Sequence, residues 1–336
     1  MRRAGFWFLM TLLLAASSAR GQTKVGTAIG EFTLIEPSAR IAGMGNAGVA
    51  LNEGLQSVYY NPAAIGGLQR SAVQFTHSEW LAGIQYDYVA ASMPVQYWGA
   101  LFASVTALNS GEIDVRTVDA PLGTGEKYDV SDVALSVGFG HTFSDRFSAG
   151  LQLNYLSETI WHSHVNVVTG SVGTVYRLTE DGMQLGASIT NFGTKARFDG
   201  RDLAIQYDND PDRYGDNGAL PGYRATDDFP VPVLFRLGLS YPRSLGSAGT
   251  VRVLADAFHS SSNTECISSG VEWRWRNLLA LRTGYQNLGQ EDSEVGLTAG
   301  LGLRGNVSAQ EFEFDYAWAD QGRLERSHRF TFVLSF

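Results

Sequence analysis

His328-Arg329-Phe330-Thr331-Phe332-Val333-Leu334-Ser335-Phe336 ends the chain. Phe330, Phe332, Leu334 and Phe336 share one face, and Thr331, Val333 and Ser335 take the other, the period of two that marks a strand with two unlike faces. The same alternation returns upstream, in Phe312, Phe314, Tyr316 and Trp318 against Glu313, Asp315 and Ala317, and in Val133, Leu135, Val137 and Phe139 against Ala134, Ser136, Gly138 and Gly140. Fourteen segments read this way: 71–77, 83–93, 99–107, 133–142, 146–156, 169–178, 184–191, 233–241, 249–258, 266–275, 278–285, 296–303, 312–318 and 328–336. An even count predicts an all-β fold, a transmembrane antiparallel barrel closed on itself.

The connections point the same way. Short links at 144–145, 179–183, 276–277 and 305–309 alternate with long ones at 108–132, 192–232 and 319–327. Short turns on one rim and long loops on the other are the habit of an outer-membrane barrel. A β-sandwich has no reason to sort its loops by parity.

Composition agrees with that class. Of 336 residues, 44% are hydrophobic and only 18% charged, and there are 38 glycines. The mean hydropathy of −0.09 is what alternating lipid-facing and lumen-facing residues average to. A net charge of −9 argues against nucleic acid as a partner. The single cysteine, Cys266, excludes an internal disulfide and a cysteine-cluster metal site. At the start, Arg2 and Arg3 precede an apolar run from Phe6 to Ala16 and then small residues, the three parts of a secretory signal over 1–21. Cleavage after Ala19 or after Gly21 both fit that pattern, and the run is shorter than the roughly 20 residues that span a bilayer. Outer-membrane lipid is the surrounding the chain is expected to meet.

Residues 22–70 break the alternation. They are rich in Gly and Ala, too small to form a core alone, and are expected to fold as a plug inside the barrel of 71–336. Ser38 to Ala50 suits a short, tightly packed helix, and Asn61-Pro62-Ala63 a turn or helix start. Gly43, Gly45 and Gly48 match the dinucleotide fingerprint letter for letter, but no βαβ unit surrounds them, so close backbone packing is the preferred reading.

The polar faces of the last seven strands carry Arg236, Arg252, Asp256, Glu272, Arg274, Arg276, Arg282, Arg304, Glu313 and Asp315. Charges facing lipid at mid-bilayer cost roughly 2–4 kcal/mol each, so these are expected in the lumen as a network of ion pairs. Structural filling is the preferred role, passage of a polar solute the alternative. Aromatics including Trp80, Tyr86, Tyr88, Tyr97, Trp98, Tyr155, Trp161, Tyr241 and Trp318 fall near strand ends, where interfacial girdles lie. Asp208, Asp210 and Asp212, with Asp216 and Asn217 nearby, offer hard oxygens to Ca²⁺ but lack the Gly and the position-twelve Glu of an EF-hand, so solvated loop acids are preferred. His162 and His164 have no evident third metal ligand. No G-x-S-x-G or H-E-x-x-H motif occurs, and a barrel hydrolase would need a Ser or Asp beside a His at one rim. The expectation is a protein without catalysis or cofactor.

Three stretches, Ser38-Ala39-Arg40-Ile41-Ala42-Gly43-Met44-Gly45, Tyr60-Asn61-Pro62-Ala63 and Phe75-Thr76-His77-Ser78-Glu79-Trp80, resemble the PorV/PorQ family of FadL-like outer-membrane barrels. Ile189 to Lys195, Gly200 to Leu203, Asp315 to Trp318 and His328 to Phe330 add to that resemblance, which covers nearly the whole mature chain. It implies a fourteen-stranded barrel with the Asn61–Ala63 motif in a lumenal plug. It also implies a role as an accessory or receptor in type IX secretion, with exported proteins and the secretion machinery as partners. FadL-like relatives instead imply uptake of hydrophobic small molecules or fatty acids. A continuous apolar tunnel favours uptake and a dry, ion-paired lumen disfavours it.

Overall fold

The computed structural model describes residues 26–208, 210, 212, 219–290 and 293–336; the signal-like segment 1–21 lies outside them. Fourteen strands form the wall: β1 (Ala72–Glu79), β2 (Gln85–Val95), β3 (Gly99–Asn109), β4 (Val130–Ser144), β5 (Phe147–Ile160), β6 (Ser163–Arg177), β7 (Gln184–Gly193), β8 (Leu234–Ser244), β9 (Thr250–Ser260), β10 (Cys266–Trp275), β11 (Leu279–Leu288), β12 (Leu297–Val307), β13 (Gln310–Asp320) and β14 (Arg326–Ser335). Each pairs antiparallel with its sequence neighbours, and β1 pairs with β14 from Ala72↔Ser335 to Glu79↔His328, so the sheet closes. Closure leaves no unpaired edge, which is why such a sheet can stand in lipid. Every segment predicted as a strand lies on one of these fourteen, most of them longer than the alternation alone delimits.

The wall has two faces, as the alternation requires. On β8, Phe235, Leu237, Leu239 and Tyr241 point out and are exposed, while Leu234, Arg236, Gly238 and Ser240 point in and are buried. On β14, Phe330 and Phe332 are outside, and Arg329, Thr331 and Val333 inside. Large apolar side chains exposed on strand after strand form a contiguous belt, which water would not tolerate and lipid would.

The rims differ. One carries only tight links between 96 and 98, 145 and 146, 178 and 183, 245 and 249, 276 and 278, and 308 and 309. Arg276 and Asn277 both take positive φ, the backbone of a type I′ hairpin turn. The other rim carries the long excursions: a small ribbon pairs Ile113–Asp114 with Lys127–Tyr128, and a second pairs Ala204–Tyr207 with Leu220–Tyr223. The link near 319–327 is shorter than expected, because β13 runs to Asp320 and β14 starts at Arg326. Trp161 and His162 likewise make a tight turn on the loop rim, and His164 belongs to β6.

Two further expectations change. Tyr86 and Tyr88 are not girdle residues: they share the inner face of β2 with Ala90 and are buried, the Tyr86 hydroxyl donating to Ile35 O at 3.0 Å. Position near a strand end does not say which face a side chain takes. Arg276 sits exposed on a turn, its guanidinium over the Trp275 ring, and is not part of the lumen. Tyr97, at 89% exposure, and Trp98 do stand out at the turn rim.

Candidate functional site

The described part of residues 22–70 occupies the lumen, in contact with most of the wall. The short helix expected near Ser38 is one turn, Ala39–Ala42, in which Ser38 Oγ caps by accepting from Ile41 N at 3.3 Å. Asn61 caps a second turn, Pro62–Ile65: its Oδ1 accepts from Ala63 N at 3.1 Å, and Pro62 occupies the position where a missing N–H costs nothing. The Asn61 Nδ2 donates at 2.9 Å to Val49 O and to Thr174 O of β6, so one side chain ties the plug to itself and to the wall.

Glycines on the inner face make this fit possible. Gly140, Gly150 and Gly173 lie side by side on β4, β5 and β6, and a Cβ on any of them would meet Pro62, Ile65 or Asn61. Gly270 and Gly284, paired across β10 and β11, back onto Met44 and Gly45 in the same way. On the plug side, Gly43 lies against Gly300 of β12, and Gly45 has φ +67° with the carbonyls of Ser269 and Tyr285 where a side chain would go. Gly48 lies beneath Ile41 and Tyr60. The fingerprint-like triplet therefore faces wall backbone at Gly43 and Gly45 and plug side chains at Gly48.

An ion network pins the plug to β9–β13. Arg40 reaches Glu272 twice, Nε to Oε2 and Nη2 to Oε1, each at 3.0 Å, and donates to Glu53 at 2.5 Å. Arg252 contacts Glu53, and Arg274 lies 2.9 Å from Glu272. Arg282 bridges Glu272 at 2.8 Å and Asp315 at 2.7 Å, across Gly302, whose lack of a side chain leaves it room. Gln56 donates to Asp315 at 2.8 Å and to Glu313 at 3.1 Å, and Glu313 also pairs with Arg304. Asp256 instead accepts from Val49 N at 2.9 Å. Burial would push the Glu53 carboxyl up, but Arg40, Arg252 and Arg274 around it outweigh that and hold it down at about 2.

Arg236 of β8 stands apart from this set, on the loop side. There a cavity of about 220 Å³ lies between the plug and the rim. Leu34, Ile35, Ala42, Trp80, Leu234, Phe258, Val295 and Ala319 give it apolar wall; Glu36, Arg236 and Arg329 give it charge. Burial pushes the Glu36 carboxyl up despite the opposing pull of Arg236 and Arg329. A second space, about 600 Å³, opens at the turn rim beneath the ion network, lined by Glu53, Arg70, Arg146, Arg177, Arg274 and Arg304 among others. Sequence reasoning did not find Glu36, Arg329, Arg40 or Glu53, whose proximity depends on a plug chain folded across the lumen.

The remaining candidates stay apart. Asp208 accepts from Asp210 N at 3.0 Å, and among the described residues no group of three or more His, Cys, Asp or Glu could hold a metal; Asp216 and Asn217 lie outside the described residues. His162 Nδ1 meets Asp202 at 3.0 Å and His77 Nδ1 meets Asp87 at 2.8 Å. These are the Asp-beside-His pairs that the hydrolase expectation asked for, and among the described residues no serine or threonine hydroxyl bonds either ring. Cys266 is buried and free.

No protein-family model matches the chain, and no curated protein sequence matches it. Solved structures do. The Ralstonia pickettii toluene transporter TbuX is similar at a TM-score of 0.54 and 14% identity over 90% of this chain and 97% of its own. The Pseudomonas putida toluene transporter TodX is similar at 0.56 and 13% over 90% and 98%, and the CymD monoaromatic hydrocarbon channel at 0.53 and 13% over 90% and 97%. At such identity the likeness establishes the fold, a FadL-like closed barrel of fourteen strands.

Proposed function

We propose that this protein is a non-enzymatic outer-membrane barrel that admits a small, largely apolar compound from the cell exterior, with the lumenal plug as its gate. The observation that carries the reading is the loop-side cavity, walled by Trp80, Leu234, Phe258 and Val295 and floored by plug residues Leu34 and Ile35. Its mouth lies on the rim of long loops, the outward rim of such barrels. The similar structures include transporters of toluene, which supports the same direction. The ion-paired lumen beneath is the feature expected to disfavour uptake, so the reading requires the plug to shift for passage.

A role as an accessory or receptor in protein export is the second reading. The ribbon tip with Val118 and Leu122, 99% and 94% exposed, favours it as a contact surface. Deletion of the gene separates the two. Loss of monoaromatic uptake with a normal surface proteome supports the uptake reading. Normal uptake with exported proteins retained in the cell overturns it in favour of export.

A further inference from the structure

We propose that the loop-side cavity is a subsite for a compact organic acid, whose carboxylate sits between Arg236 and Arg329 and whose apolar body lies against Trp80 and Phe258. The proposal rests on the uptake reading above and narrows its substrate class.

The arginines inside the barrel fall into two groups. Arg40, Arg252, Arg274, Arg282 and Arg304 each have a carboxylate partner within ion-pair distance. Arg236 and Arg329, each only 5% exposed, have none among the described residues. Arg236 stacks over Tyr59 and Tyr60, with a weak 3.4 Å bond to Thr190. Arg329 stacks over Trp80, and its buried Nε has no hydrogen-bond partner. A guanidinium held out of water without an anion is costly, and such sites acquire an anion or lose the charge. Arginine does not lose its proton.

Glu36 is the one carboxylate among the described residues lining the cavity, against two guanidiniums. On the lining itself the guanidiniums outnumber the carboxylates, and although the buried Asp256 also acts on Arg236, this balance favours an anionic group over a neutral one. Thr264 Oγ1, buried without a partner on the same lining, offers a further donor. Size narrows the class. The cavity, about 220 Å³, is smaller than the roughly 300 Å³ at which drug-sized pockets begin, so one ring or a short branched chain fits and a long acyl tail does not. Charge selects against neutral hydrocarbons, and volume against fatty acids.

Calorimetric titration of the full-length protein in detergent, with phenylacetate, toluene and palmitate as probes, tests this. Phenylacetate is expected to bind at least about 10-fold more tightly than either of the others, the scale of a charge-assisted hydrogen bond. Arg329→Gln and Arg236→Gln are each expected to lower the phenylacetate-to-toluene affinity ratio about 10-fold or more, and Glu36→Gln to raise it. Heat-modifiable gel migration reports that each variant is folded, and the ratio in the unmodified protein tests the proposal without any variant. Equal affinity for phenylacetate and toluene, or tighter palmitate binding, overturns it. If toluene binds and is taken up but the acid is not preferred, the inference alone fails. If none of the probes binds or enters, the uptake reading fails with it.

Discussion

Arg40 of the plug and Glu272 of β10 face each other through two parallel hydrogen bonds of 3.0 Å, with both side chains buried. They are not equivalent partners. Glu272 also serves Arg274 and Arg282, so its loss leaves three guanidiniums short of an anion. Loss of Arg40 leaves Glu272 and Glu53 two arginines each. Glu272→Gln is therefore expected to destabilise by about 3–5 kcal/mol and Arg40→Met by less. Urea titration of the folded barrel, read by gel migration, gives the order; the reverse order would contradict the placement of Glu272 as the hub.

The glycine band predicts a position-specific cost on a single strand. On β6, a Cβ at Gly173 would collide with Asn61, whereas one at Gly170 finds nothing nearer than 3.8 Å. Gly173→Ala is expected to cost about 1–3 kcal/mol by overpacking and to loosen the plug, while Gly170→Ala is near neutral. Limited proteolysis of the segment around Asn61 measures the loosening, and equal protection in both variants would count against a seated plug.

If the plug gates uptake, fastening it should stop passage. Ala42 and Ala317 pack in one small buried cluster between the plug and β13. In a Cys266→Ala background, Ala42→Cys with Ala317→Cys is expected to abolish uptake of the apolar probe when oxidised and restore it on reduction. Uptake that persists in the oxidised, cross-linked protein would mean that the plug is not the gate.

Glu53 gives the plug a defined acid response. Its folded carboxyl is held down at about 2, below the ordinary value of 4.5, so its stabilisation is full above 4.5 and is lost as pH falls toward about 2. Protection of the plug from an acid protease is expected to fall across that window in the unmodified protein. Glu53→Gln should lower protection at neutral pH and flatten the fall; an unchanged profile would refute this role.

The wall was legible in the sequence because its information is local. A residue's face follows from parity, so Phe330, Phe332, Leu237 and Leu239 could be sent outward, and Glu272, Arg282 and Asp315 inward, without knowing any neighbour. The reading failed where a residue was judged by closeness to a strand end, as with Tyr86, Tyr88 and the cavity-lining Trp80, or where the strand had already ended, as with Arg276.

By itself, then, the chain determined a closed barrel, the inward set of charges and a small-residue segment that needs a lumen to fold in. The tertiary structure decided everything that joins residues across that lumen: Arg40 to Glu272, Asn61 to Thr174, and Arg236 with Arg329 around Glu36. The physical reason is separation along the chain. Alternation fixes a side chain's direction within its own strand, but which opposing group it meets depends on strand order, closure and the path of a plug whose contacts lie more than a hundred residues away. The two arginines without carboxylate partners look no different in sequence from the five that have them.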